Sequence, residues 1–169
     1  SAVHLVVKNL NIRVPQNPNT SGIFAHKAYS VNFENIDINT GIYNVQAAQP
    51  TNNTSGIITP AIDNAAYTVM KNISVNGFMN GVEVNEHTDG DNIIVSSCVN
   101  GLLFNAANHA SLFKRTCLNH NTKQVSVVGS HPFEIQQMNM EYITGSPDAW
   151  KNTTHELYDP NNYGIGQIT

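Results

Sequence analysis

Side chains capable of chemistry are few in this sequence, and they gather in its middle third. Glu83, Glu86, Asp89 and Asp91 fall within a nine-residue stretch. Paired carboxylates act as general acid and base on a glycosidic bond when they stand about 5 to 10 Å apart, and clustered ones bind calcium. Glu83, Glu86 and Asp89 are therefore the candidate catalytic acids. Against that role, Glu83 and Glu86 are close in sequence but point in different directions, as surface acids in a turn do. Asp89-Gly90-Asp91 lacks the other oxygen ligands of a calcium loop. The reading assigns no metal or other cofactor, and calcium is the only ion these acids suggest.

Histidine gives the sharpest spacing. His87, His109 and His131 are 22 residues apart each time, which in a coiled chain of that period brings them to the same turn of successive coils, with His26 in the corresponding turn. Neighbouring imidazoles can share a metal or shuttle protons. No carboxylate or Cys recurs at the same spacing, so a column of polar turn residues is the competing expectation. Nucleophile elbows, phosphate loops and paired Cys/His metal spacings are missing from the sequence. Arg13 is expected to face outward, with Lys114 and Arg115 at a back corner, which is no arrangement for a uronate lyase centre.

The elements that hold these residues are visible as a repeat. Lys8-Asn9-Leu10-Asn11-Ile12, Glu34-Asn35-Ile36-Asp37-Ile38, Lys71-Asn72-Ile73-Ser74-Val75 and Asp91-Asn92-Ile93-Ile94-Val95 share a polar residue, Asn and an apolar alternation. A second motif follows each one: Ser21-Gly22-Ile23-Phe24, Ser55-Gly56-Ile57-Ile58, Asn80-Gly81-Val82-Glu83 and Asn100-Gly101-Leu102-Leu103. Internal repetition of this length marks a solenoid. Continuing the register puts Arg115 and Gln137 in the Asn position, and Gln124 where Gly is missing.

Each apolar-x-apolar run is too short for an amphipathic helix and has the period of a strand with one buried face. Asn between two such runs suits a sharp bend, because it tolerates the left-handed conformation. One unit thus reads strand, Asn corner, strand, turn, Gly-led strand, turn. Over residues 3 to 143 the chain resembles the right-handed parallel β-helix superfamily of pectate lyases and bacteriophage tailspikes, whose asparagine ladders sit at such a corner. The resemblance implies an all-β parallel β-helix of about six coils with three short strands each, roughly 29 Å long at the strand spacing. Ile36, Ile73, Ile93, Thr116 and Met138 are expected to form one inward column.

In a solenoid the strands are scaffold, so ligands meet outward columns and long turns. The turns Pro15 to Ser21 and Thr40 to Ser55 share one edge, and the insertion Pro60 to Ala66 lies on the other side of the Gly-led strand. The outward column between them reads Phe24, Ile58, Glu83, Leu103 and Ser126. Exposed apolar side chains in a row mark an interface or a sugar-binding floor, or else are covered by loops. Phe24, Ile58, Leu103 and Ser126 are the candidate substrate-binding or interface residues.

Composition narrows the classes. Charged residues make up 12% of 169 residues, net charge is −4, and 25 residues are Asn. A nucleic-acid footprint would need a basic stripe, which is not seen, and no apolar run reaches membrane-spanning length. The reading divides the chain into a solenoid at 1–145, expected to be a fragment of a longer one, and an irregular cap or crossover at 146–169. Cys98 and Cys117 are expected as free thiols, a disulfide having no support in the register. The resemblance implies a homotrimeric tailspike or receptor-binding component, extracellular or on a virion, that binds and degrades or merely binds cell-surface polysaccharide. The alternative is a secreted pectate-lyase-like polysaccharide lyase or glycoside hydrolase.

Overall fold

The corner expected at each repeated Asn is present as a left-handed residue. Asn9, Asn35, Asn72 and Asn92 have φ between 54° and 57°, and their degraded copies Arg115 and Gln137 follow at 49° and 55°. The computed structural model describes residues 4–15, 17, 19–41, 55–62, 66–129, 131–141 and 166–168. The strands expected on either side of each corner form one continuous, bent strand. These long strands are β1 (His4–Arg13), β3 (Ser30–Asn39), β5 (Tyr67–Asn76), β7 (His87–Ser96), β9 (Ser111–Asn119) and β11 (Phe133–Glu141). A single left-handed residue turns the chain without ending the ladder: pairing passes from Lys8↔Glu34 straight to Leu10↔Ile36.

The Gly-led segments are the short strands β2 (Ile23–Phe24), β4 (Ser55–Ile58), β6 (Asn80–Val84) and β8 (Asn100–Phe104), with β10 (Lys123–Val127) continuing them. Long strands stack in parallel in the order β1-β3-β5-β7-β9-β11, and short strands in the order β10-β8-β6-β4-β2. The result is an all-β parallel solenoid of about five turns, close to the six counted from the repeat. A last strand, β12 (Gly166–Ile168), pairs in parallel with β11. The remainder of the expected cap at 146–169 lies outside the described residues, as does 42–54, most of the longest expected turn.

Corner amides stack along the axis. Asn35 Nδ2 donates to Asn9 Oδ1, Asn72 Nδ2 to Asn35 Oδ1 and Asn92 Nδ2 to Asn72 Oδ1, each at 2.9 Å. The Asn72 amide is thus engaged on both sides. At Arg115 the ladder changes chemistry, and the guanidinium grips Asp91 through Nε at 2.7 Å and through Nη2. That contact holds the Asp91 carboxyl below the usual carboxylate range. Replacing Asn72 by Ala removes two ladder bonds and puts a Cβ-bearing residue without a compensating amide at positive φ. The expected loss is about 2 kcal/mol. Asn72→Gly keeps the corner conformation, so denaturant unfolding should show it less destabilised than Asn72→Ala.

The core fills the space between the sheets. Ile36, Ile73, Ile93 and Thr116 form the expected inward column at 2%, 1%, 0% and 1% exposure, with Met138 packed at its end. Leu10 occupies the same column on the edge strand and is 42% exposed, so burial here comes from stacking between coils. Thr116 breaks the apolar run, and its buried Oγ1 has no hydrogen-bond partner. Thr116→Val removes that unpaired hydroxyl at constant shape and is expected to stabilise the fold by about 1 kcal/mol in thermal or denaturant unfolding.

Both cysteines are free, with Cys98 buried in the turn after β7 and Cys117 half-buried on β9. Burial pushes the Cys98 thiol up to about 12 from its ordinary value of 9.0. A pKa raised by folding leaves its stabilisation intact below the unfolded value and removes it as pH rises towards the folded one. Stability should therefore fall between pH 9.0 and about 12, and Cys98→Ala should flatten that alkaline slope. At neutral pH a thiol reagent should modify Cys117 alone until the protein unfolds.

Candidate functional site

The short sheet brings the predicted outward column into register: Phe24 opposite Ile58, then Glu83, Leu103 and Ser126. The five are not equally presented. Phe24 is 64% exposed and Leu103 and Glu83 are half-buried, while Ile58 and Ser126 fall to 9% and 6%. His26 lies in the expected turn, between β2 and β3, and stacks on Phe24 with ring centroids 5.7 Å apart. It leaves the short strand directly, because Ala25 N–H already bonds Ile58 O. The other three histidines flank the starts of long strands.

Beside this column runs a polar line. Ser126 Oγ donates to Asn100 Oδ1 at 2.7 Å, Asn100 Nδ2 to Asn80 Oδ1 at 2.8 Å and Asn80 Nδ2 to Ser55 Oγ at 3.3 Å. Ser55 Oγ in turn donates to Glu83 Oε2 at 3.2 Å, and Asn105 Nδ2 donates to Glu83 Oε1 at 2.8 Å. Glu83 is thus held by two neutral donors from the coils on either side. These side chains alternate donors and acceptors along the axis, as hydroxyl-rich ligands require.

The second constellation lies where the short strands hand over to the long ones. Glu86, in the turn between β6 and β7, has its side chain only 6% exposed. Its Oε2 lies 2.9 Å from His109 Nδ1 and 3.6 Å from His87 Nδ1. His109 Nε2 is 3.1 Å from His131 Nε2, and the two rings meet edge to face at 3.9 Å between centroids. A carboxylate only accepts hydrogen bonds, so His109 carries its proton on Nδ1 towards Glu86 and offers Nε2 to His131. The 22-residue spacing predicted the His109–His131 pair. It could not predict the acid, because Glu86 has no counterpart in the neighbouring turns.

Buried polar groups fix this edge. Glu86 N–H donates to Pro60 O at 3.1 Å, and Glu86 O accepts from Thr88 Oγ1 at 3.2 Å and Ser111 Oγ at 3.4 Å. The single Ser111 hydroxyl proton is shared between that carbonyl and the closer Asn108 Oδ1 at 2.6 Å, and Asn108 Nδ2 reaches the carbonyls of His131 and Pro132 at 3.3 and 3.4 Å. Thr88, Asn108 and Ser111 are each at most 2% exposed. Such a fully paired, buried support holds the side chains above it in one geometry.

The three candidate acids therefore face three different neighbourhoods. Glu83 belongs to the short-sheet face and Glu86 to the histidine edge. Asp89 lies on β7 near Tyr67, whose hydroxyl is pushed up by partial burial and then by the Asp89 carboxylate. Asp89, Gly90 and Asp91 all sit within β7, where Gly90 makes room for the Phe113 ring and Asp91 pairs with Arg115.

Sequence reasoning missed the polar line, although its signal was present: the residue before the Gly of each short strand is Ser or Asn in all four units. Among the described residues no helix is long and apolar enough to cross a membrane. No family model, curated protein or solved structure matches the chain.

Proposed function

We propose that this chain is a glycan-binding β-solenoid of the tailspike or receptor-binding kind, which holds a cell-surface polysaccharide along its short sheet. The observation that carries the reading is the exposed Phe24–His26 stack on the same sheet as the partly exposed Asn80, Glu83 and Asn100, which the nearly buried Ser55 and Ser126 hold in line. An aromatic plate offers apolar area to the C–H face of a sugar, and the amides, hydroxyls and carboxylate beside it match sugar hydroxyls. The carboxylate of Glu83 favours a neutral glycan over a uronate-rich one. In this reading the protein acts as a homotrimer, extracellular or on a virion, with Phe24 and Leu103 near sister chains or sugar.

Binding to a panel of neutral and acidic bacterial polysaccharides by biolayer interferometry tests this. A neutral member should bind, and Phe24→Ala should weaken it about tenfold, the scale of one lost aromatic contact. No binding across the panel, or binding indifferent to Phe24→Ala and Asn100→Ala, would refute the glycan face. Light scattering that gives a stable monomer would remove the trimer. Reducing-sugar release that disappears in Glu83→Gln would move the reading to the lyase or hydrolase alternative.

A further inference from the structure

The edge built by Glu86, His87 and His109 has the composition and spacing of a transition-metal site. One donor atom from each residue lies within 4.8 Å of the others. In a tetrahedral zinc site with bonds of about 2.0 to 2.1 Å, neighbouring ligand atoms stand about 3.3 Å apart. The observed 2.9 and 3.6 Å from Glu86 Oε2 to the two Nδ1 atoms bracket that value, so small side-chain rotations would complete the geometry. Two imidazoles and a carboxylate suit zinc and its first-row neighbours better than calcium or magnesium, which take oxygen ligands.

Two further features distinguish this cluster from polar side chains that merely meet. Its acid is buried and its backbone is locked by Pro60, Thr88 and Ser111, whereas His87 and His109 are open to solvent at 38% and 22% of their side chains. Ligand-bearing histidines also need an acceptor for their second nitrogen, which sets ring orientation and basicity. His131 Nε2 stands 3.1 Å from His109 Nε2 to provide it.

We propose that Glu86 Oε2, His87 Nδ1 and His109 Nδ1 bind one divalent transition-metal ion of the zinc class, with His131 as the outer partner of His109. On binding, the His109 proton leaves Nδ1 for Nε2 and is donated to His131, whose own proton then resides on Nδ1. Three protein ligands leave a fourth position towards solvent, the pattern of a site that exchanges water or takes up an oxygen ligand. Because the ligands must be deprotonated, protons and the metal compete for them.

Calorimetric titration of chelator-treated protein with zinc chloride tests the assignment, with cobalt(II) absorption as the reporter of coordination geometry. One ion per chain is expected, and His87→Ala and His109→Ala should each weaken binding at least tenfold. His131→Ala should weaken it between 10- and 100-fold, the usual cost of an outer partner, and His26→Ala and His120→Ala should leave it unchanged. His87 and His109 are partly open to solvent, so their variants are expected to fold, which circular dichroism would verify, and Glu86→Gln provides a shape-matched third variant. No saturable binding by the wild type, or equal affinity in His87→Ala, His109→Ala and Glu86→Gln, would overturn the proposal and leave a hydrogen-bonded array.

Discussion

Gly81→Ala is expected to destabilise the solenoid by about 3 kcal/mol, the upper end of the usual cost of overpacking a filled core. A Cβ at Gly81 would stand 2.1 Å from Val95 Cγ1 and 2.6 Å from the backbone oxygen of Gly101. Val95 is fully buried and the oxygen belongs to the next coil, so neither can step aside without shifting a strand. The clash arises because a Cβ at this strand position would point into the packed core. Chemical denaturation should show the loss as a lower midpoint with unchanged slope. A variant as stable as the wild type would mean that the coils are spaced more loosely than described.

Phe104→Ala should cost about 4 kcal/mol, within the range for truncating a buried aromatic. Phe104 is fully buried, stacks on Phe133 at 3.9 Å between centroids and meets Phe113 edge to face at 5.7 Å. Its ring ties β8 to β9 and β11, so its loss leaves a hole shared by three coils. Phe104→Leu should recover more than half of the stability by refilling most of that volume. Equal stability of Phe104→Ala and wild type would contradict the packing described for this end of the rod.

The scaffold was legible because it repeats. An Asn before an apolar alternation reports a backbone shape, and the shape persists at φ 49° and 55° where the residue has become Arg115 and Gln137. The Gly at the head of each short strand was legible for the same reason, and its exception is instructive. Gln124 takes the Gly position in β10 with its side chain buried, where Asn121 Nδ2 donates to its Oε1 at 2.6 Å. Two polar residues thus fill the core position that Gly leaves open elsewhere, which no local pattern announces.

The sites were less legible because they depend on residues that occur once. Register placed Phe24, Ile58, Glu83, Leu103 and Ser126 in one column, but exposure depends on neighbours, so Ile58 and Ser126 are nearly covered. The histidine period identified His109 and His131 as neighbours. It also put His26 in the corresponding turn, between β2 and β3, where the residue lies near the start and its ring stacks on Phe24. Glu86 was selected as an acid, and its pairing with His109 emerges only when the turn before β7 is laid under the next coil.

Ligand is predicted to be met by the short sheet, at Phe24 and Glu83, which occur once, and at the recurring amides Asn80 and Asn100. Hydrogen–deuterium exchange, with and without a neutral bacterial polysaccharide that binds, tests this most directly. Protection is predicted in peptides covering β2, β4, β6 and β8, centred on Phe24, Glu83 and Asn100, with the Asn9–Asn35–Asn72–Asn92 corner unaffected. Protection confined to that corner, or to the outer face of the long strands, would contradict it.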